Sequence, residues 1–320
     1  MRDVSQRSGE RSRRIAEKLE RELGPVVFAC LRDPQVVDII LNPDGGIWVE
    51  RLGSASQRLG EMPSHQAEAL IATVAAELQT VVTAERPILE CELPIDGSRF
   101  TAVIPPVVTA PAFAIRRRAS HIITLAGYVS ASVLSRSRAA VLAEAIEARR
   151  NIVIAGGTGS GKTTLANALI AHMAEAAPDD RLVILEDTAE IQCAAPNAVI
   201  MRATSTVSLQ RLVRTTMRLS PRRIIVGEVR GAEALEMLKA WNTGHPGGIA
   251  TIHANSAADA LARLEDLVRE AIDAPMQRTI AAAVHLIVFI AKTATGRQVE
   301  EVVRVEGING ETYLTRQHQE

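Results

Sequence analysis

The chain has 320 residues, of which 47% are hydrophobic and 23% charged, and this composition fits a globular protein of about two domains. Its 36 Lys and Arg residues against 37 Asp and Glu residues give a net charge of −1, which excludes a protein that holds nucleic acid by bulk charge and leaves only a local basic patch open. Aromatic residues make up 2%, which argues against platforms that stack nucleobases.

The cysteines and the apolar runs limit the cellular compartments in which we expect the protein. Cys30, Cys91 and Cys193 lack the paired spacing of a zinc site, and we expect three reduced thiols in a cytoplasmic protein. The charged N-terminus has no apolar core of a secretory signal. The longest apolar run, Ile280 to Ala291, contains His285 and is too short to span a bilayer. Any membrane association is therefore expected to be peripheral or through a partner.

The first part of the chain has the pattern of a small α+β domain. The polar first ten residues are expected to be mobile. The predicted elements that follow are, in chain order, a helix over 15–27, a hairpin over 36–50, a helix over 64–79 and strands over 88–118.

Serine and other small residues dominate 129–138 and predict a linker at about residues 119–137. An ordinary loop and helix start inside one domain is the alternative. The predicted domains are therefore 1–125, which is α+β, and 138–320.

Short apolar strands alternate with helices after this linker, which is typical of a parallel sheet covered on both faces. The predicted strands are 151–155, 182–185, 224–226 and 249–252, and the predicted helices are 161–176, 208–219, 232–241 and 257–271. From His285 to Leu314, the pattern predicts extra antiparallel strands with turns at Thr295-Gly296 and Asn309-Gly310.

The segment Gly156-Gly157-Thr158-Gly159-Ser160-Gly161-Lys162-Thr163 matches G-x-x-x-x-G-K-[ST] in full, between a predicted strand and a predicted helix. Glycines let backbone N–H groups converge on phosphates, and the helix N-terminus adds partial positive charge. Lys162 would place its charge between the β- and γ-phosphates, and Thr163, which Thr164 follows, would offer a hydroxyl to Mg²⁺. We expect an ATP and Mg²⁺ site here; a glycine-rich turn without a ligand is the alternative.

Acidic side chains follow other predicted strands, at the sheet edge where ligands of open parallel sheets bind. Glu228 stands where a Walker B acid belongs, although Gly227 replaces the usual aspartate before it. We hypothesise that Glu228 orients or deprotonates the attacking water, and that Glu186, which Asp187 follows, helps to hold the Mg²⁺ shell. Both acids are expected to meet the metal through water, and Glu186 is also counted as a catalytic candidate. The alternative is an exposed strand-end acid or a helix-cap partner.

Two histidines are candidates for sensing or stabilising the γ-phosphate. His253 ends a predicted strand beside the expected site, and His245 lies in the glycine-rich stretch 244–248. A lone histidine is more often structural, which is how we interpret His285 and His172.

Together these segments resemble the secretion-superfamily traffic ATPases, and most closely the conjugal-transfer and type IV secretion branch of the TrbB type. The resemblance covers most of residues 34–270. Its motifs are the Walker A segment GGTGSGKTT (156–164), the Asp box RLVILEDTAEI (181–191), the Walker B and His boxes within LVRTTMRLSPRRIIVGEVRGAEALEMLKAWNTGHPGGIATIHANS (212–256), and an N-terminal-domain motif RPILECELPIDGSRFTAVIPP (86–106).

This resemblance implies an α/β fold, with a RecA-like P-loop NTPase C-terminal domain and a smaller α+β N-terminal domain. It also implies an Mg²⁺-dependent ATPase that works as a homohexamer with inner-membrane secretion or conjugation components. Such a motor, peripheral at the cytoplasmic face of the inner membrane, would energise pilus assembly or substrate transfer. We expect no direct DNA binding, given the balanced charge.

By the same resemblance, Arg99 and Arg116 would point from the N-terminal domain toward the nucleotide, within a subunit or across an interface, where a guanidinium can meet phosphate bidentately. The alternative is a solvated basic face. Arg117, Arg118 and Arg230 are weaker candidates.

Two other functions stay open at this point. A type IV pilus retraction-type motor or a type II secretion motor has the same boxes, although many type II members carry a tetracysteine zinc motif that three scattered cysteines cannot form. A nucleotide-binding scaffold or DNA-binding adaptor with negligible turnover belongs to another class, and the strand-end acids and histidines argue against it.

Overall fold

The computed structural model describes residues 2–51, 54–117, 122–204, 206–294 and 296–319, without the side chains of residues 2–12. Contacts along the chain divide it into two compact units, Met1–Ser120 and His121–Glu320. Arg118 and Thr295, which the sequence analysis singles out, lie outside the described residues.

The first unit is an antiparallel sheet in the order β3-β2-β1-β6-β5-β4, with two helices in its core. Its elements are α1 (Arg2–Arg32), β1 (Val36–Leu41), β2 (Gly46–Arg51), β3 (Gln57–Glu61), α2 (Ser64–Glu77), β4 (Ile88–Glu92), β5 (Arg99–Val103) and β6 (Ala112–Arg116). The polar start, predicted to be mobile, instead forms the first turns of α1, since its arginine and glutamate residues favour a helix. Strand β3 has no apolar pattern that predicts a strand, because its residues are polar and mostly exposed.

The predicted linker over 119–137 is largely folded into the second unit. It contains α3 (Leu125–Ser130) and the start of α4 (Arg136–Glu147), and Tyr128 and Leu134 are buried in that unit's core. The Ser135 hydroxyl accepts a hydrogen bond from the backbone N–H of Arg138. A serine that indicates a linker by composition is thus a helix N-cap.

The second unit contains one eight-stranded sheet in the order β14-β13-β12-β7-β11-β10-β8-β9, with an apolar core on each face. Its further elements are β7 (Ile152–Ala155), α5 (Lys162–Ala176), β8 (Leu182–Glu186), β9 (Ala198–Arg202), α6 (Leu209–Thr216), β10 (Arg223–Val229), α7 (Glu233–Asn242), β11 (Ile249–Ile252), α8 (Ala257–Arg269), α9 (Gln277–Ala283), β12 (Leu286–Thr293), β13 (Gly296–Asn309) and β14 (Thr312–Gln317).

Six neighbouring strands, from β12 to β9, run parallel, so their carboxyl ends share one edge of the sheet. Strand β7 occupies the centre, between β12 and β11, and all four of its residues are buried. The phosphate loop therefore emerges from the middle of this edge, with β11 and β10 to one side and β12 to the other.

The end of the chain differs from the sequence prediction in one strand. The apolar run Ile280 to Ala291 divides into the end of α9 and most of β12. The pattern predicts antiparallel strands from His285 onward. The pairs β12–β13 and β13–β14 are indeed antiparallel, but on its other side β12 pairs parallel with β7. Among the described residues, the helices include none long and apolar enough to cross a membrane.

Candidate functional site

The phosphate loop connects β7 to α5 and depends on glycine at specific positions. Gly159 and Gly161 have φ values of +70° and +100°, in the left-handed region that favours glycine. A Cβ on Gly156 would lie 2.3 Å from the carbonyl oxygen of Ile290, whereas a Cβ on Gly157 or Gly159 would meet no atom within 4 Å. The loop is thus packed from below and open on its outer side.

Lys162 begins α5 and is only 7% exposed. Its ammonium group donates to the carbonyl oxygens of Gly156 and Gly157, each at 2.9 Å, and lies 3.4 Å from Nδ1 of His253. Burial lowers the pKa of Lys162, and the nearby Glu228 and Glu190 oppose that shift. Lys162 therefore holds the loop and the end of β11 together.

Glu228 and His253 form a pair at the ends of β10 and β11. Nε2 of His253 lies 2.6 Å from one carboxylate oxygen of Glu228, and the other oxygen accepts a 2.6 Å hydrogen bond from Nε of Arg230. Burial, followed by the charge of Lys162, lowers the pKa of His253, although Glu228 acts in the opposite direction. With Nδ1 facing the Lys162 ammonium, these neighbours assign the imidazole proton to Nε2, from which it is donated to Glu228.

The backbone before Glu228 explains the glycine that precedes it. The register between β10 and β11 shifts between Val226 and Val229, and such irregularities re-aim side chains beside functional sites. A Cβ on Gly227 would lie 3.2 Å from Cβ of Glu186 on the neighbouring strand. The usual aspartate at this position would therefore crowd Glu186.

Glu186 is 2% exposed, and both of its carboxylate oxygens have partners. One oxygen accepts hydrogen bonds from the backbone N–H groups of Glu190 and Ile191, at 3.0 and 2.9 Å, and the other accepts from Nε of Arg202 at 3.3 Å. In this geometry Glu186 fixes the segment after β8, and an additional part in an Mg²⁺ shell stays a prediction.

Glu190 lies in the segment after β8, and no sequence pattern assigns it a role. Its carboxylate accepts a 3.0 Å hydrogen bond from the hydroxyl of Thr163, the residue expected to bind Mg²⁺. Both residues line one pocket with Glu186, Asp187 and Glu228. Glu186, Asp187 and Glu190 lie within five residues, and the sequence does not indicate which of them reaches the phosphate loop. The answer depends on how the hydrogen bonds of Glu186 fold the segment between them.

The donor set fits Mg²⁺, which proteins bind through one or two oxygen ligands together with substrate phosphates. Thr163 and Glu190 supply a hydroxyl and a carboxylate oxygen beside the phosphate loop. No cluster of three or more His, Cys, Asp or Glu side chains that could hold a metal by itself occurs in the described part of the chain.

Comparison with known proteins decides the family of this chain. The model of the Type II/IV secretion system protein family matches residues 21–308. The chain belongs to this family. It is 53% identical over 305 residues to the conjugal transfer protein TrbB of Rhizobium radiobacter, covering 95% of this chain and 94% of that protein. It is 54% identical over 293 residues to a probable conjugal transfer protein TrbB of Sinorhizobium fredii, covering 92% and 90%.

Solved structures show that this secretion-family member has the predicted fold. The crystal structure of the pilus retraction motor PilT with bound ADP aligns with a TM-score of 0.63 at 20% identity, covering 87% of this chain and 80% of PilT. The resemblance to traffic ATPases and the RecA-like P-loop NTPase fold with a smaller α+β N-terminal domain are therefore confirmed.

His245 does not join the other candidates of this secretion-family protein. Its loop precedes β11, and the N–H groups of Gly247 and Gly248 donate to the Asn151 side chain, before the start of β7. The four residues of β11 span about 13 Å, so His245 lies at the opposite sheet edge from the phosphate loop. The predicted contact of His245 with the γ-phosphate is therefore wrong within this subunit. The sequence misleads here because a glycine-rich stretch next to a strand does not by itself indicate the edge of the sheet at which it lies.

Two candidate arginines of the first unit, Arg116 and Arg117, have hydrogen-bond partners within that unit. Arg116 donates to both carboxylate oxygens of Asp38, at 2.9 and 3.0 Å, and Arg99 lies opposite Arg116 in the β5–β6 pairing. Arg117 donates to the carbonyl oxygens of Asp33 and Val36, which is a structural role. The predicted nucleotide contacts of Arg99 and Arg116 stay predictions.

Other side chains are placed by contacts in the second unit. His285 accepts a 3.0 Å hydrogen bond from the N–H of Asn151, which is the packing role expected of it, and His172 lies on α5. Arg230, a weaker candidate from sequence, contacts Glu228 directly.

Proposed function

We propose that the chain is an ATP-hydrolysing motor that energises conjugative transfer or type IV secretion, by pilus assembly or substrate transport. The observation that carries this proposal is the Glu228–His253 pair, which lies against Lys162 at the mouth of a complete phosphate loop. A site that only binds nucleotide has no need of a strand-end carboxylate held beside the phosphates.

The residues of the loop fit the triphosphate of ATP. Its open outer side, the helix N-terminus at Lys162 and the buried ammonium group together favour an anion of high charge. When bound, Mg²⁺ supplies positive charge that neutralises the phosphate oxygens, and Thr163 with Glu190 and Glu186 would hold it. We include Thr164, which follows in α5, among the loop residues that bind nucleotide.

Glu228 would orient the attacking water and accept its proton. Arg230 and His253 each contact a different carboxylate oxygen, which fixes the direction of the carboxylate. His253 contacts the carboxylate through Nε2, 2.6 Å away, which leaves Glu228 beside Lys162 and the phosphate loop. His253 can also donate toward the γ-phosphate once it turns from Glu228, which keeps it among the catalytic candidates.

The conjugation branch is supported by relatives named conjugal transfer proteins, which are more than half identical over at least 90% of this chain and of their own lengths. We infer a homohexamer at the cytoplasmic face of the inner membrane, attached peripherally through secretion or conjugation components and without direct DNA binding. Arg99 and Arg116 would complete the nucleotide site, within a subunit or between subunits.

The rival functions have less support. PilT is 20% identical to this chain, and a similarity at that level supports a shared fold but not a shared role in pilus retraction. A scaffold or DNA-binding adaptor without turnover would not explain why Glu228, His253 and Lys162 lie together at the phosphate loop.

A transfer assay tests the proposal. In a donor strain that lacks the gene, wild-type protein should restore conjugative transfer, while Glu228→Gln, produced at an equal level, should leave it at the frequency of the deletion strain. Equal rescue by the two proteins would refute hydrolysis as the source of the function, and normal transfer without the gene would refute the conjugative role.

A further inference from the structure

The β12–β13 hairpin lies beside the phosphate loop because β12 is longer than its neighbour. Phe289 pairs with Ala155, the last residue of β7, and residues 290–293 continue past that point for about 13 Å. The carbonyl oxygen of Ile290 packs under Gly156. The end of the hairpin, where Thr293 pairs with Gly296, is thus at the ligand edge of the sheet, in the same unit as the loop.

Arg297, at the start of β13, reaches the loop itself. Its Nε donates a 3.1 Å hydrogen bond to the carbonyl oxygen of Gly159, and a Cβ on Gly161 would lie 3.0 Å from Cδ of Arg297. A guanidinium has five N–H donors, and this contact uses one of them. The side chain is exposed, so its terminal nitrogens are accessible to a ligand on the open side of the loop.

A second cation stands directly opposite Arg297 in the hairpin. Lys292 pairs with Arg297 in the β12–β13 register, and like charges in such pairs destabilise a sheet. Within the described ranges neither side chain forms an ion pair, although arginines elsewhere on β13 and β14 do. Two adjacent cations without a carboxylate, beside a phosphate loop, indicate an anion as their partner.

The strand order determines which part of a nucleotide Arg297 would meet. Strand β7 separates β11, which His253 follows, and β10, which contains Glu228, from β12 and its hairpin. A nucleotide whose γ-phosphate lies at the Glu228 side extends its other end toward the hairpin. Arg297 is therefore next to the part of the nucleotide that is not transferred.

We propose that Arg297 is a nucleotide-binding residue that contacts the α-phosphate of ATP and ADP within its own subunit, with Lys292 adding to the local positive potential. This role rests on the proposed function, since it assumes that the loop binds a nucleotide. It differs from that of Glu228 in that it concerns affinity and not the chemical step.

The test is the dissociation constant of Mg²⁺–ADP, the KM for ATP and the competition by pyrophosphate, measured on intact wild-type protein and on variants. Arg297→Ala should weaken ADP binding and raise KM about tenfold, the loss expected for one charge-assisted hydrogen bond at an exposed site, while kcat at saturating ATP stays within about twofold. Pyrophosphate, which has no α-phosphate ester, should compete as well as it does with wild type. Arg297→Lys should recover part of the affinity.

Arg304→Ala is the matched control, because it removes the same side chain from β13 at a position paired with Leu286, far from the turn, where Arg304 makes a surface contact with Glu144. It should bind ADP like wild type. Unchanged ADP binding in Arg297→Ala would overturn the proposal, and so would an equal loss of pyrophosphate binding, which would mean that Arg297 only shapes the loop through Gly159. Normal ADP binding without ATP turnover in wild type would instead refute the proposed function.

Discussion

Replacing Asp180 with alanine is expected to destabilise the second unit strongly, because Asp180 is the counter-charge of a buried arginine. Arg223, at the start of β10, is 1% exposed; its Nε donates to Asp180 at 2.7 Å and its Nη1 to the carbonyl oxygen of Ile146 at 2.8 Å. Arg149 donates to the other carboxylate oxygen at 2.5 Å, from a half-exposed position. These contacts join the amino ends of the parallel strands.

The magnitude follows from the burial of each partner. Removing one member of a buried ion pair costs about 3–5 kcal/mol, since the remaining charge stays buried without compensation. The exposed pair with Arg149 contributes about 0–1 kcal/mol, so Arg149→Ala is the matched mild variant. For a unit of this size, each kcal/mol shifts Tm by about 2–4 °C, which predicts a fall of about 6–20 °C for Asp180→Ala.

Acidification provides a second readout of the same pair. Burial raises the pKa of Asp180, but hydrogen bonds and charges from Arg223 and then Arg149 outweigh it and hold that pKa below its ordinary value. A carboxyl group with a lowered folded-state pKa stabilises the protein above its unfolded-state pKa of about 3.9, and this stability is lost as the pH falls through the folded-state value. Wild-type Tm should therefore fall more steeply below about pH 4 than the Tm of Asp180→Asn.

Thermal melting by circular dichroism, with ADP binding measured well below Tm, checks these expectations. The variant should bind ADP normally in the cold, because Asp180 lies at the sheet edge opposite the phosphate loop. A Tm for Asp180→Ala within 2 °C of the Arg149→Ala value would refute the assignment of Asp180 as the essential partner of buried Arg223.

Three substitutions test the site itself. Lys162→Ala should lower ATP turnover on the order of a hundredfold or more, because it removes a charge aimed at the phosphates and two contacts to loop carbonyls; an unchanged kcat would contradict that role. His253→Ala should lower kcat about tenfold or more with a smaller change in KM, since Glu228 loses one of the groups that orient it, and a change in KM alone would assign His253 to binding. Arg99→Ala should lower the rate of ATP hydrolysis while leaving Tm nearly unchanged. A large fall in Tm with normal activity per folded molecule would indicate a structural arginine.

Local sequence patterns predict much of this fold and site. Except for β9, whose residues are only partly buried, the strands and helices from β7 to α8 follow from short apolar runs between helical patterns. The phosphate loop follows from the spacing of glycines before Lys162. The parallel pairing of β12 cannot be predicted in this way, since an apolar strand has the same sequence pattern whether it pairs parallel or antiparallel. Its direction is determined by its pairing with β7. The places of His245 and Glu190 cannot be predicted from local patterns either, because they depend on contacts of their loops with Asn151 and Glu186.

Only four of the 36 basic residues are lysines, and several arginines have structural roles that explain this excess. Arg223 is buried with Asp180, Arg202 contacts Glu186, and Arg230 holds Glu228. A guanidinium suits such positions because it donates several hydrogen bonds in fixed directions and never loses its charge. Lys162 is the exception, since its three ammonium donors match two loop carbonyls and His253.

If Glu228 activates the water that hydrolyses ATP at this phosphate loop, phosphate release from Mg²⁺–ATP depends on its carboxylate. The most direct measurement compares this release by wild type and by Glu228→Gln in the same assembly state. We expect steady turnover by wild type, a loss on the order of a hundredfold or more in Glu228→Gln, and similar ATP affinity in both. Wild-type protein that binds ATP but releases no more phosphate than Glu228→Gln would contradict the claim.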